Sequence, residues 1–296
     1  MKKFDYSKFK SQKSQSAMEY LMTYGWAILI IAIVLVALFS LGVFNSANFA
    51  PRAQPGSCQV IRTAAQVSLA GQCNGMLPEY VAQFNGQSSY VTLQNIAGQV
   101  AGLSALTVSV WVDPKATFSS RNELVTDCSG EFFLSADASG NQEGDFCVYT
   151  ADSWDCYAET TQKIVTNNYQ MITGTYNSTT GNVEIYYDGQ AGSHLTGVTG
   201  VIPNMGGSAT LAYPQCDTSY FDGTMANVQI YNTSLSANDI QALYQEGIGG
   251  APINVNNLVG WWPLNGNAND YSGNGNSGNA TNVIYTSAWT SGYSTP

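Results

Sequence analysis

The chain has 296 residues, ten Lys and Arg against twenty Asp and Glu, and a formal charge of −10. That balance argues against a nucleic-acid partner, which would need a basic face. The length suits one small membrane element plus one domain of about 240 residues, a size that an all-β sandwich reaches as a single unit.

Charge is split along the chain. The first 24 residues hold Lys2, Lys3, Lys8, Lys10 and Lys13 against Asp5 and Glu19; the remainder holds five basic and eighteen acidic side chains, a formal −13. A basic flank inside and an acidic domain outside agree with the positive-inside rule. Between them Gly25 to Phe44, GWAILIIAIVLVALFSLGVF, carries no charge and as a helix would reach about 30 Å. Its apolar residues run all the way round, so such a helix wants lipid or other helices on every side. A secretory signal has a shorter apolar region, and the one small-residue cut candidate, at Ala50, has Asn48 before it and Pro51 after it. A plain signal anchor fits everything except SQSAMEYL. Those residues, within Lys13 to Phe44, resemble the class III signal of archaeal type IV pilins. The resemblance implies a removable leader over 1–14, prepilin-peptidase cleavage between Ser14 and Gln15, and a membrane and filament-core helix over 15–46. Glu19 would then neutralise the new amino terminus of a neighbouring subunit, because an unpaired carboxylate among apolar helices is costly.

A neck follows, NSANFAPRAQPGSC, in which Pro51 stops any helix, and 47–77 reads as an extracellular lead-in. All six cysteines, Cys58, Cys73, Cys128, Cys147, Cys156 and Cys216, lie beyond the apolar run. An even number there predicts disulfides, with fifteen possible pairings and Cys58–Cys73 as the local expectation. A zinc site lacks both a CxxC pair and a second histidine beside His194. Asn177, Asn232 and Asn279 open N-x-[ST] sequons and are glycosylation candidates.

From Tyr80 the hydrophobic period becomes two. YVAQFNGQSSYVTL turns at Asn85-Gly86, and in LTVSVWVDP Leu106, Val108, Val110 and Val112 alternate with Thr107, Ser109 and Trp111. FFLSA, DFCVYTA, MITGTYN, NVEIYYDG, ATLAY and TMANVQIY continue the series. This is the pattern of a mainly β, antiparallel jelly-roll sandwich. One helix interrupts it at SLSANDIQALYQEG, capped by Ser236 and Asp239, with Ile240, Leu243 and Tyr244 inward and Gly247 at its end.

YVAQFNGQSSYVTL, LTVSVWVDP, IYYDGQ and above all YFDGTMANVQIYNTSLSANDIQALYQEG resemble the laminin-G-like, concanavalin-type jelly-roll family over roughly 78–290, which implies a jelly-roll head over 78–296. LVGWWPLNGNANDYSGNGNSGNATN, at 258–282, resembles a segment that opens the domain in that family. Here it closes the domain, which implies a circular permutation, with Trp261, Trp262 and Leu264 on a strand beside those near Tyr80 to Leu93.

Glycoside hydrolases of this fold need two carboxylates about 5–10 Å apart. Glu123, Asp127 and Glu131, four residues apart, would share a face of a strand yet stand too far apart, and no other nucleophile constellation is present, so no enzyme activity is expected. Binding is the stronger expectation. Oxygen-rich loops of this family hold calcium, which makes Asn267, Asn269, Asp270 and Asp222 metal candidates, although a calcium site prefers more charge and Ala226 stands where relatives carry an acid. The combined reading is a pilin-like filament subunit displaying a glycan-binding, adhesive head. It would be a membrane precursor first and an extracellular filament later, with other pilins, the assembly machinery and surface glycans as partners. A membrane-anchored lectin-like receptor and a surface glycosidase are the alternatives.

Overall fold

The structure, a computed structural model, describes residues 12–40, 52–54, 57–73, 76–118, 120–127, 131–136, 142–150, 154–215 and 219–296; the side chains of 12–19, 21, 23 and 154–157 lie outside that description. The chain forms two units that divide after Phe49. In the first, helix α1 spans Gln12–Ser40. It begins before the expected cut, so Ser14, Gln15 and Glu19 are helical, while their side chains and the end of the expected helix, 41–46, lie outside the described residues. From Tyr24 to Ser40 every residue is exposed except the half-buried Leu38, Ile and Val included. Among the described residues no helix is long and apolar enough to cross a membrane. The apolar run is helical as far as Ser40, and its last four residues are outside the description.

The second unit is β-rich. Its strands are β1 (Arg52–Ala53), β2 (Cys58–Arg62), β3 (Val67–Gly71), β4 (Leu77–Pro78), β5 (Val81–Asn85), β6 (Tyr90–Leu93), β7 (Ala105–Pro114), β8 (Asn122–Asp127), β9 (Phe132–Ala136) and β10 (Gly144–Tyr149). They continue with β11 (Trp154–Glu159), β12 (Gln170–Asn177), β13 (Asn182–Tyr187), β14 (Gln190–Leu195), β15 (Thr210–Leu211), β16 (Asp222–Tyr231), β17 (Leu258–Trp262), β18 (Gly278–Thr281) and β19 (Ile284–Thr286). One sheet runs β11-β10-β9-β8-β15-β6-β18, the other β14-β13-β12-β7-β16-β5-β19, with β17 on β16. Two short α-helices, α2 (Ile96–Val100) and α3 (Ala237–Glu246), and two 3-10 turns, Val255–Asn257 and Ala288–Gly292, accompany the sheets.

The core lies between the two large sheets. Leu106, Val108, Val110 and Val112 point into it with Phe84, Phe146, Phe221 and Trp262, as the period of two dictates. The opposite face of β7 is buried as well, because α3 lies on it: Trp111 stacks on Tyr244 at 5.6 Å and meets Tyr293 edge-on at 5.7 Å. The Ser236 capping box and the left-handed Gly247 (φ 78°) bound α3 as expected.

The strand carrying Trp261 and Trp262 pairs with β16, at Val228↔Trp262, and not with β5 or β6 as expected. The ten-residue β16 accommodates both neighbours in turn. Its Asp222–Met225 half pairs β5, its Val228–Tyr231 half pairs β17, and the changeover falls at Asn227, which is left-handed (φ 51°) beside a register shift. The strands that do join β6 and β5 are the next two, β18 and β19.

The lead-in is a hairpin, β2–β3, closed by the Cys58–Cys73 disulfide. Arg62 fastens it to the head: its guanidinium donates to the carbonyls of Ser272 (2.9 Å), Val255 (3.0 Å) and Leu258 (2.8 Å), while Val60 N–H donates to Tyr271 O at 2.8 Å. Cys147 is disulfide-bonded too. Cys128 and Cys216, and the side chain of Cys156, lie outside the described residues.

Candidate functional site

A pocket of about 590 Å³ opens where the β5–β6 turn, the segment after β7 and the approach to β16 meet. Each wall has a local cause. In the turn the Asn85 carboxamide oxygen accepts the N–H groups of Gln87, Ser88 and Ser89 at 2.9–3.1 Å, which leaves the Gln87 amide exposed at the rim. Gly86 is left-handed (φ 66°) and so close to β16 that a Cβ would lie 2.8 Å from Asp222 Cβ. Gln142 clamps the second wall, accepting from Phe118 N–H and donating to Phe118 O, while the Phe118 ring packs on Phe221. On the third wall the Ser219 and Ser120 hydroxyls hydrogen-bond.

Tyr220 lines this pocket and begins a ladder. Its ring meets Tyr213 edge-on at 5.7 Å, and Tyr213 lies 4.8 Å from Tyr90 on β6; all three are half-buried. Asp222 on the lining pairs at 4.0 Å with Lys115, which lies outside the lining; the pair is half-exposed on both sides and cancels itself in charge. A ligand therefore meets aromatic surface, amides and hydroxyls.

A neighbouring pocket of about 260 Å³ is lined by Asp113, Lys115, Thr224 and Trp289. Burial pushes the Asp113 carboxyl up to about 6. Its Oδ1 and the Trp289 Nε1–H are sealed from solvent and without a hydrogen-bond partner among the described residues, so a ligand reaches neither without displacing side chains.

Of the predicted metal ligands, Asn267, Asn269 and Asp270 share one loop and Asp222 stands apart. Asp270 Oδ1 accepts Trp261 N–H (3.0 Å) and Ser272 N–H (2.8 Å), and Oδ2 accepts Ser272 O–H and Asn276 N–H (both 2.8 Å). Its surroundings are thus built of donors, which suit an anion and not a cation's coordination shell. Asn267 Oδ1 accepts Asn269 N–H at 2.9 Å in the same turn. Asp222 is at the far end of β16 from this loop, seven residues from the Gln229 that pairs with Trp261, or roughly 23 Å along a strand. These residues do not fit calcium, and no group of three His, Cys, Asp or Glu among the described residues does.

Of the three carboxylates at four-residue spacing, Asp127 and Glu131 come together through a side-chain hydrogen bond, while Glu123 stands apart from them. A register shift between Glu123 and Val125 places Glu123 opposite Ser135 on the outer face and Asp127 opposite Phe132. Glu123 is 1% exposed and accepts Gln215 N–H at 2.9 Å. Glu131, fully buried, accepts Met205 N–H at 3.4 Å, and burial followed by the nearby Asp127 charge raises its carboxyl to about 7. Trp111, Trp261 and Trp262 are core residues; the Trp154 side chain is outside the description. Of the sequons, Asn232 and Asn279 are exposed and Asn177 is half-buried at the end of β12. The tyrosine ladder is the feature that sequence reasoning missed.

Residues 85–241, more than half the chain, match the profile of the concanavalin A-like lectin/glucanase superfamily. The chain belongs to that superfamily. As a member it shares its fold with a candidate carbohydrate-binding protein of Bacteroides ovatus, at TM-score 0.56 and 14% identity over 75% of this chain. The match spans 66% of that protein, just under two thirds. A heptameric SAP-like pentraxin of Limulus polyphemus is similar at 12% identity and TM-score 0.49, over 70% of this chain and 94% of its own. The CBM40 of a Ruminococcus gnavus sialidase, solved with sialyllactose, reaches 14% and 0.42, over 55% and 97%. Both fall below the level at which a shared fold is assigned. No curated protein sequence matches the chain. The family match covers β6 to β16 and with them every wall of the 590 Å³ pocket.

Proposed function

We propose that the head binds glycans at the pocket where the Tyr90–Tyr213–Tyr220 ladder ends, and that α1 carries it as the core of a cell-surface filament of the type IV pilus class. The ladder is the observation that carries the first part. Half-buried tyrosines present flat apolar faces to the C–H side of a sugar ring and a hydroxyl to its edge, and Gln87 and Ser219 share the pocket lining with Tyr220 as hydrogen-bonding groups. The description of the Bacteroides protein as a carbohydrate binder agrees with this. We read the head as a binder: Glu123 and Glu131, the carboxylates a glycosidase reading would use, are 1% and 0% exposed.

Intact protein in detergent, titrated with a panel of polysaccharides, tests the binding. Tyr213→Ala and Tyr220→Ala should weaken it at least tenfold with unchanged melting. Failure of every polysaccharide to bind, or wild-type affinity in both variants, would refute it.

The filament part rests on α1, whose described side chains are apolar and exposed around the whole circumference, and on the resemblance of SQSAMEYL to a class III signal. Cleavage between Ser14 and Gln15 would remove five lysines and free the helix to bundle, with Glu19 meeting a neighbour's amino terminus. Protein sheared from cells should appear as fibres whose amino-terminal peptide begins at Gln15. An intact Met1 terminus on protein that stays with the membrane would favour a lectin-like receptor.

A further inference from the structure

We infer that the pocket at the Tyr220 end of the ladder selects uncharged glycans and excludes carboxylated or sulfated ones; the inference rests on the glycan-binding reading above and adds the ligand's charge. Beyond residue 24 the chain has only five cationic side chains, Arg52, Arg62, Lys115, Arg121 and Lys163, against eighteen acidic ones. Four of the five are engaged inside the head. Arg62 spends its donors on three backbone carbonyls. Arg52 lies over the Trp289 ring at 5.5 Å. Arg121 lies over Phe133 at 4.7 Å with its Nε 3.9 Å from Asp145. Lys115, itself outside the pocket lining, pairs with Asp222 on it. The fifth, Lys163, is in the β11–β12 connection and is not among the pocket residues.

An anionic sugar would therefore have to take Lys115 from Asp222 and leave that carboxylate beside it, within a field set by a head of formal charge −13. Like-charge juxtaposition of this kind is the usual means of rejecting a wrong ligand. A neutral sugar meets no such opposition. Its hydroxyls can both donate to and accept from the exposed Gln87 side-chain amide and the half-buried Ser219 and Tyr220 hydroxyls. Because no net charge is neutralised on binding, affinity for it should be nearly independent of salt.

The test titrates the intact chain in detergent with dextran and mannan, which are uncharged, and with polygalacturonate and heparin, at 50 and 500 mM NaCl. At least one uncharged polymer should bind, with less than a twofold change between the two salts. Both anionic polymers should bind at least tenfold more weakly at 50 mM. Tighter binding of either anionic polymer, weakening with salt, would overturn the charge selection while leaving glycan binding in place. Absence of binding to all four polymers would refute both.

Discussion

Replacing Arg62 with Met keeps the aliphatic stem and removes the guanidinium that fastens the disulfide hairpin to the head. The three carbonyls it serves are not equally dependent on it. Val255 O also accepts Leu258 N–H, and Leu258 O also accepts the Asn274 amide at 2.8 Å, so each keeps a donor. Ser272 O has no second donor among the described residues. The loss thus amounts to one charge-assisted hydrogen bond removed outright and two softened, about 2–3 kcal/mol. Urea unfolding of the intact protein should register that difference. Amide exchange should also accelerate at Val60, whose N–H bonds to Tyr271 O across the same junction. A change below about 0.5 kcal/mol with Val60 still protected would mean that the hairpin is held by its packing and disulfide, and the role given to Arg62 would be wrong.

Two further perturbations follow from single positions. Glu131 titrates at about 7 in the folded head against an ordinary 4.5, so the folded chain retains a proton that the unfolded chain has released. Stability should fall as pH rises from about 4.5 to 7, with Asp113 and Asp188, each raised to about 6 by burial, adding to the same slope. Glu131→Gln should reduce that slope in urea midpoints taken across the range, and an unchanged slope would contradict the assignment. Gly86→Ala forces a left-handed alanine against Asp222, costing about 1–2 kcal/mol of backbone strain. It should lower the melting temperature and weaken glycan binding together, and normal binding would remove Gly86 from the site's construction.

Much of the sandwich was legible because it is written locally. Alternation in β7, the Asn85-Gly86 turn and the Ser236–Asp239 cap each depend on residues within a few positions of one another. What escaped depends on distance along the chain. Arg62 reads as one more surface cation until its acceptors, 193 to 210 residues away, come beneath it. Tyr90, Tyr213 and Tyr220 belong to two separate segments that only β6–β15 pairing brings together. Asp270 misled for a related reason: an Asn- and Gly-rich loop with an acid suits calcium in composition, yet its carboxylate holds the loop's own N–H groups. The register shift at Glu123 likewise undid a face assignment made from spacing alone.

The most direct test of the central claim is an amide-exchange footprint of the intact protein with and without a bound uncharged polysaccharide. Protection should concentrate at 85–90, 116–118, 120–122, 213–215 and 219–222, which hold the described pocket walls and the tyrosine ladder. Saturable binding with protection elsewhere and none at these segments would contradict the account.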